Sequence, residues 1–231
     1  MKNIFYFIAI LILGFSQTAL AQWEGQKFMS GSASIMFNNN NPDLQKSSNN
    51  YGYNFSVGLG KFKTSTRASG WNLNTSLSGS KQNLTTYING IPINREKNGI
   101  NGFGIGAGRF WQFYKHFNDK TGIFAGPNIS GRYDNSVTYA TTNDATALVK
   151  NKTNAITLSA GLNAGLYYKL SPKWWVTADI AFSDFANISY SITKTGVEID
   201  EYTTRQKNLN YNFSPSFRFP SVGFGLRYFL K

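Results

Sequence analysis

Residues Ile156–Tyr168 read ITLSAGLNAGLYY. Ile156, Leu158, Ala160, Leu162, Ala164, Leu166 and Tyr168 share one parity, and Thr157, Ser159, Gly161, Asn163 and Gly165 share the other. A period of two marks a β-strand, because successive side chains point to opposite faces of a sheet. One face here is apolar and the other is small and polar. Tyr51, Tyr53, Phe55, Val57 and Leu59 repeat the pattern against Gly52, Asn54, Ser56, Gly58 and Gly60. Strands of this kind suit a sheet closed on itself in lipid, apolar outside and polar within.

Working outward, eight such runs are expected, over residues 28–37, 51–62, 71–84, 100–113, 121–139, 154–170, 174–192 and 208–230. The breaks between them alternate long and short. Asn38–Asn50, Thr85–Asn98, Ala140–Thr153 and Thr193–Lys207 are long; Lys63–Gly70, Tyr114–Lys120 and Ser171–Lys173 are short. Asn89-Gly90 and Pro92 mark a turn in the second long break. Pro127 lies inside the fifth run, where the missing donor predicts a bulge. The fold expected is an all-β, eight-stranded, antiparallel up-and-down transmembrane β-barrel. An even strand number with short turns inside the envelope makes both termini periplasmic. A secreted β-sandwich also alternates, but it does not account for the alternating break lengths.

The N-terminus reads as a leader. Lys2 precedes an apolar run from Ile4 to Phe15, and Ala19-Leu20-Ala21 forms an A-x-A cleavage pattern. The run is shorter than the ~20 residues of a membrane helix. Residues 1–21 are therefore expected to be a cleaved signal peptide, and residues 22–231 a single barrel domain. The mean hydropathy is negative, as it is for barrel strands that show lipid only every second side chain.

The chain has no cysteine, which excludes disulfides and thiolate metal sites. The net charge of +12 is scattered over turns and loops. No nucleic-acid-binding signature accompanies it, so nucleic acid is not an expected partner. An exported basic surface suits anionic headgroups and lipopolysaccharide phosphates.

His116 is the single histidine. It falls in a short break among aromatics and lysines and reads as a turn residue, not a general base. Glu198, Asp200 and Glu201 lack the spacing of a calcium loop. Gly102, Gly104, Gly106 and Gly108 do not match a nucleotide-binding loop, and no helix follows them. Inward glycines instead make room for large side chains opposite. No catalytic residue, metal or cofactor is assigned.

By parity Phe124, Asn128 and Arg132 point inward, as do Trp175, Thr177, Asp179 and Arg227. An eight-stranded ring is just wide enough for side chains to fill. Asp179, Arg227 and Arg132 are expected to form an interior ion-pair system, since a buried unpaired charge is costly. The five tryptophans lie beside short breaks or the N-terminus. Trp71, Trp111, Trp174 and Trp175 are taken as interface aromatics, with Trp23, Tyr114, Phe117, Tyr168 and Phe229 nearby.

The last residues are Gly223-Phe224-Gly225-Leu226-Arg227-Tyr228-Phe229-Leu230. Gly225, Tyr228 and Leu230 fit the C-terminal targeting strand of bacterial outer-membrane proteins, although Lys231 stands where an aromatic is usual. The chain resembles the small eight-stranded outer-membrane β-barrels of OmpA and OmpX type. That resemblance implies a Gram-negative outer membrane and insertion by the barrel assembly machinery, with outer-membrane lipid and lipopolysaccharide as surroundings. Such barrels serve as anchors, adhesins, small channels or lipid-modifying enzymes. A non-enzymatic, structural or interactive role through four extracellular loops is the expectation, with a narrow channel as the alternative and a lipid-active enzyme third. The ligand of the loops is not readable.

Overall fold

The computed structural model describes residues 23–41, 46–141, 148–181, 184–197, 204–213 and 221–230. The signal-peptide reading for residues 1–21, the acidic cluster Glu198, Asp200 and Glu201, and Lys231 lie outside them. Ten antiparallel strands form one sheet. They are β1 Lys27–Asn40, β2 Ser48–Thr64, β3 Arg67–Ile88, β4 Ile91–His116, β5 Thr121–Thr141, β6 Leu148–Lys169, β7 Trp174–Ala181, β8 Ala186–Val197, β9 Thr204–Phe213 and β10 Ser221–Leu230.

Consecutive strands pair from β1 to β7, β7 pairs with β10, and β10 returns to β1. The result is a closed ring of eight strands. The shortest ladder is that of β10 on β1, from Lys27↔Leu230 to Gly31↔Leu226. β8 and β9 continue the sheet on the far half of β6.

The eight expected strands are present, but the last two are each in two pieces. β6 pairs with β7 up to Asn163↔Ala181 and resumes with β8 at Ala160↔Ala186. The register of the partner strand therefore shifts by two residues against β6 between the two ladders. The Asp184 carboxylate occupies the space over Gly161 that any side chain there would fill. The second break changes the facing parity. Tyr211 in β9 lies opposite Ile188, on the outer face, whereas Phe224 and Leu226 point out in β10.

The bulge expected at Pro127 is absent. β5 pairs with β6 straight through Pro127↔Leu162. Only the β4 ladder lapses, between Phe110↔Asn128 and Phe113↔Ala125, and it resumes in the same register. The missing N–H is thus accommodated by skipping hydrogen bonds on one side. A bulge occurs elsewhere, at Ser78/Gly79, where Asn101 is the extra residue of β4. Its side chain accepts from Ser78 Oγ (3.1 Å) and donates to Ser80 Oγ (2.8 Å).

The second long break is also not a loop. β3 and β4 run on as a hairpin to Ile88↔Ile91. Asn89 (φ 50°) and Gly90 (φ 78°) form its two-residue turn, the positive-φ pair that matches strand twist. β4 has 26 residues, against roughly 9–11 needed to cross a bilayer.

The outer face follows the parity reading. Leu59, Leu73, Ile105, Leu158, Leu166 and Phe224 are all exposed, Leu73 at 62% and Phe224 at 77%. An apolar surface that is continuous around the ring marks contact with lipid or another apolar partner. Among the described residues no helix is long and apolar enough to cross a membrane; any crossing is by strands.

Candidate functional site: the interior of the ring

Two layers fill the ring. The first lies at the end of the short turns. Trp23, Phe28, Phe62, Phe110, Tyr114, Phe124, Tyr167, Trp175 and Phe229 form one buried cluster. Trp175 is fully buried, 4.4 Å from Tyr167, 4.6 Å from Phe229 and 4.9 Å from Trp23 by ring centroids. Trp23 precedes β1 and is folded into this end. The Gly25 amide donates to the Phe62 carbonyl, and the Phe62 amide to the Gln26 carbonyl. Gly25 takes φ 82° to make that reversal. The Lys169 ammonium caps the Trp23 ring at 3.9 Å. Small residues create the room: a Cβ on Gly60 would strike the Phe28 ring, and one on Gly165 the Phe124 ring.

Above the aromatics is a polar chamber of about 290 Å³. Its lining includes Ser30, Asn72, Gln112, Asn128, Asp179 and Arg227. Arg227 is 3% exposed. Its guanidinium lies over the Phe28 ring at 4.2 Å and donates to the Tyr114 hydroxyl and to Gln112 Oε1 (3.2 Å). The Tyr114 hydroxyl in turn donates to Gln112 Oε1 at 2.6 Å.

The expected ion-pair system is not formed as such. Asp179 and Arg227 line the same chamber, but no ion pair joins them among the described residues. Arg227 lies opposite Trp175 and Asp179 opposite Gly223. That places them four residues apart along the ladder, about 13 Å at 3.3 Å per residue. Asp179 takes the Thr177 hydroxyl at 3.0 Å instead. Gly225 leaves the room for this contact, since its Cβ would meet Thr177 Oγ1 and Asp179 Oδ2.

Arg132 belongs to a separate network. Its Nε donates to both Asp134 oxygens (2.7 and 3.0 Å), and its terminal nitrogens to Asn74 Oδ1 (2.8 Å) and Ser76 Oγ. Gly104 of β4 keeps the space for this group. Asp134, the partner of Arg132, is not among the interior charges expected above. It could have been, because residues i and i+2 of a strand share a face.

The aromatic assignments divide. Trp71 (58% exposed) and Trp174 (44%) are on the outer face with Trp111, and Trp174 packs on Tyr228 at 4.8 Å. Trp175, Trp23, Tyr114 and Phe229 are interior. For the three within strands, parity opposes the interface reading: Trp175 alternates with outward Trp174, Tyr114 with Phe113, and Phe229 with Leu230.

His116 ends β4 beside the first short turn. Its Nε2 lies 2.9 Å from the Ser65 carbonyl oxygen and its Nδ1 contacts the Tyr167 hydroxyl. A carbonyl only accepts, so Nε2 carries the proton and Nδ1 accepts from Tyr167. Both nitrogens are thereby engaged. Among the described residues no group of three or more His, Asp or Glu side chains is placed to hold a metal ion. In the terminal strand, Tyr228 and Leu230 face out and Gly225 faces in, and β10 closes the ring against β1.

No curated protein matches the chain. A family model, described as outer membrane protein beta-barrel domain, matches residues 7–217. The closed antiparallel ring, its apolar outer face and its polar and aromatic interior are those of such a domain, and the chain belongs to the outer membrane protein beta-barrel domain family.

Proposed function

We propose that this outer-membrane barrel is a non-enzymatic, non-conducting protein that holds a stable ring in the membrane and presents its long hairpins outside the cell. The observation that carries this reading is the aromatic layer at the short-turn end. Nine buried rings in one cluster, with Trp23 folded among them, support a chamber that is blind on that side. A chamber closed at one end can hold water but offers no through path.

In this reading residues 1–21 are cleaved after export, both termini lie in the periplasm of a Gram-negative cell, and the assembly machinery inserts the chain with Gly225, Tyr228 and Leu230 as its terminal signal. Lipopolysaccharide and phospholipid surround the outer face. The long connections at residues 38–50, 85–98, 140–153 and 193–207 face outward and carry the interaction. The engagement of both His116 nitrogens supports a turn-stabilising residue over a general base.

Single-channel recording in planar bilayers tests the reading. The intact chain should show no stepwise current. Replacing Trp23, Phe62 and Trp175 together by alanine should produce current steps. Stepwise conductance from the intact chain would overturn the proposal in favour of a narrow channel.

A further inference from the structure

On the outer face Arg109 stands where its neighbours are apolar. Its strand partners are Trp71 on β3 and Ile129 on β5. The guanidinium lies over the Trp71 ring at 5.2 Å and the Trp111 ring at 5.5 Å. Its Nε is shielded from solvent and has no hydrogen-bond partner. No ion pair joins it to a carboxylate among the described residues. An outward charge on a barrel is costly toward the bilayer midplane and tolerated near an interface. Two tryptophans beside it mark such an interface.

An apolar groove of about 460 Å³ begins at this arginine and crosses the sheet from β4 to β8. Ala107, Gly131, Ala160 and Ala186 form its floor, with Leu158 and Ile188 as walls. Ala107, Gly131, Leu158 and Ile188 stand in one row of the ladder and Ile129, Ala160 and Ala186 in the next outward-facing row, so the floor steps across one row between β5 and β6. Three strand spacings make the groove about 14 Å long, enough for much of an acyl chain. A cation with an unfilled donor at the head of an apolar groove is complementary to an anion carrying a hydrocarbon tail. Guanidinium favours phosphate oxygens, which accept its fork of N–H groups.

We propose that Arg109 and this groove bind one glycerophospholipid specifically, with the phosphate on Arg109 between Trp71 and Trp111 and an acyl chain along Ala107, Gly131 and Ala160. The lipid belongs to the leaflet on the short-turn side, because Trp71 and Trp111, which flank Arg109, lie toward the strand ends that meet the turns at residues 65–66 and 117–120. The leaflet assignment rests on the short turns being periplasmic, which cysteine labelling tests separately.

Native mass spectrometry of the full chain, released from detergent micelles containing phosphatidylglycerol, tests the site. One lipid adduct should survive activation that strips the rest. Arg109→Gln should lower its occupancy at least fivefold, and Arg67→Gln, whose guanidinium lies 5.9 Å from the Phe113 ring, should leave it unchanged. Gly131→Leu should also abolish it by filling the groove with Arg109 intact. A Cβ at Gly131 meets only the end of the Leu158 side chain, at 3.2 Å, so the ring should fold; heat-shifted gel mobility checks this. The proposal is overturned if the intact chain retains no adduct, or if Arg109→Gln or Gly131→Leu retains it fully. Displacement by inorganic phosphate alone, or preference for lipid A over phosphatidylglycerol, would overturn it equally.

Discussion

Trp174 and Trp175 are adjacent, and replacing each by alanine should have unequal effects. A tryptophan buries up to about 250 Å². At roughly 25 cal/mol per Å² that is about 6 kcal/mol for a fully buried ring, an upper bound. Trp175 is buried completely among Trp23, Tyr167 and Phe229. Against this, its indole nitrogen is buried without a partner, which costs about 1–3 kcal/mol that alanine would relieve. The burial term wins, and Trp175→Ala should cost about 3–4 kcal/mol, within the range of large-to-small core changes of ~3–5 kcal/mol. Trp174 is 44% exposed, so the same area arithmetic bounds its covered part at about 3.5 kcal/mol; lipid fills the space an alanine leaves there, no cavity term adds, and Trp174→Ala should cost about 1–2 kcal/mol. Equilibrium urea unfolding in phospholipid vesicles measures both. Equal losses, or a larger loss at Trp174, would refute the assignment of Trp175 to the interior and with it the aromatic layer.

Cysteines at Asn40 or Asn89 should react with an impermeant reagent on whole cells, and cysteines at Ser65, Asn118 or Pro172 should not; the reverse pattern would invert the topology. Leu162, 39% exposed on the outer face, should tolerate arginine at a loss of about 1 kcal/mol, the cost of an outward charge near an interface. Asn163→Arg should instead perturb the chamber that Asn163 lines, and vesicle unfolding separates the two. A double-mutant cycle on Arg132 and Asp134 should show coupling of about 1 kcal/mol or more, while Asp179 and Arg227 should couple by less than about 0.5 kcal/mol, since Arg227 is held by Tyr114 and Gln112. Strong coupling of the second pair would restore a direct contact between them.

Period two made the ring legible because lipid and lumen impose opposite chemistry on alternate residues. Leu158 and Ser159 had only one arrangement that suited both. What escaped was whatever does not alternate. The pairing of β6 passes from β7 to β8 with a shift of two residues, and a register shift of this kind leaves no fixed sequence mark. Asn89-Gly90 and Pro92 point to a break over residues 85–98; the turn is there, but it takes two residues and the strands run on to it. Outside a membrane a strand needs no apolar face, and Lys81 pairs across the ladder with Glu96 at 3.2 Å. The interior charges were found, but not their partners. Parity gives a side chain's face; it does not give its reach. Arg227 extends across the chamber to Gln112 and Tyr114 of β4, on the far side of β1, β2 and β3. Net charge alone hides Arg109, whose parity with Ile105 and Ala107 places it on the outer face.

A spin-label scan of β6 in lipid vesicles tests the membrane-embedded ring most directly. Labels at residues 156 to 166 should alternate, with high collision rates for oxygen dissolved in lipid at Ile156, Leu158, Ala160, Leu162, Ala164 and Leu166. Low rates are expected at Thr157, Ser159 and Asn163; Gly161 and Gly165 stay unlabelled, because a side chain there would strike Asp184 or Phe124. Uniform accessibility along the strand, or alternation that appears equally in buffer without lipid, would contradict a ring whose outer face is solvated by the bilayer.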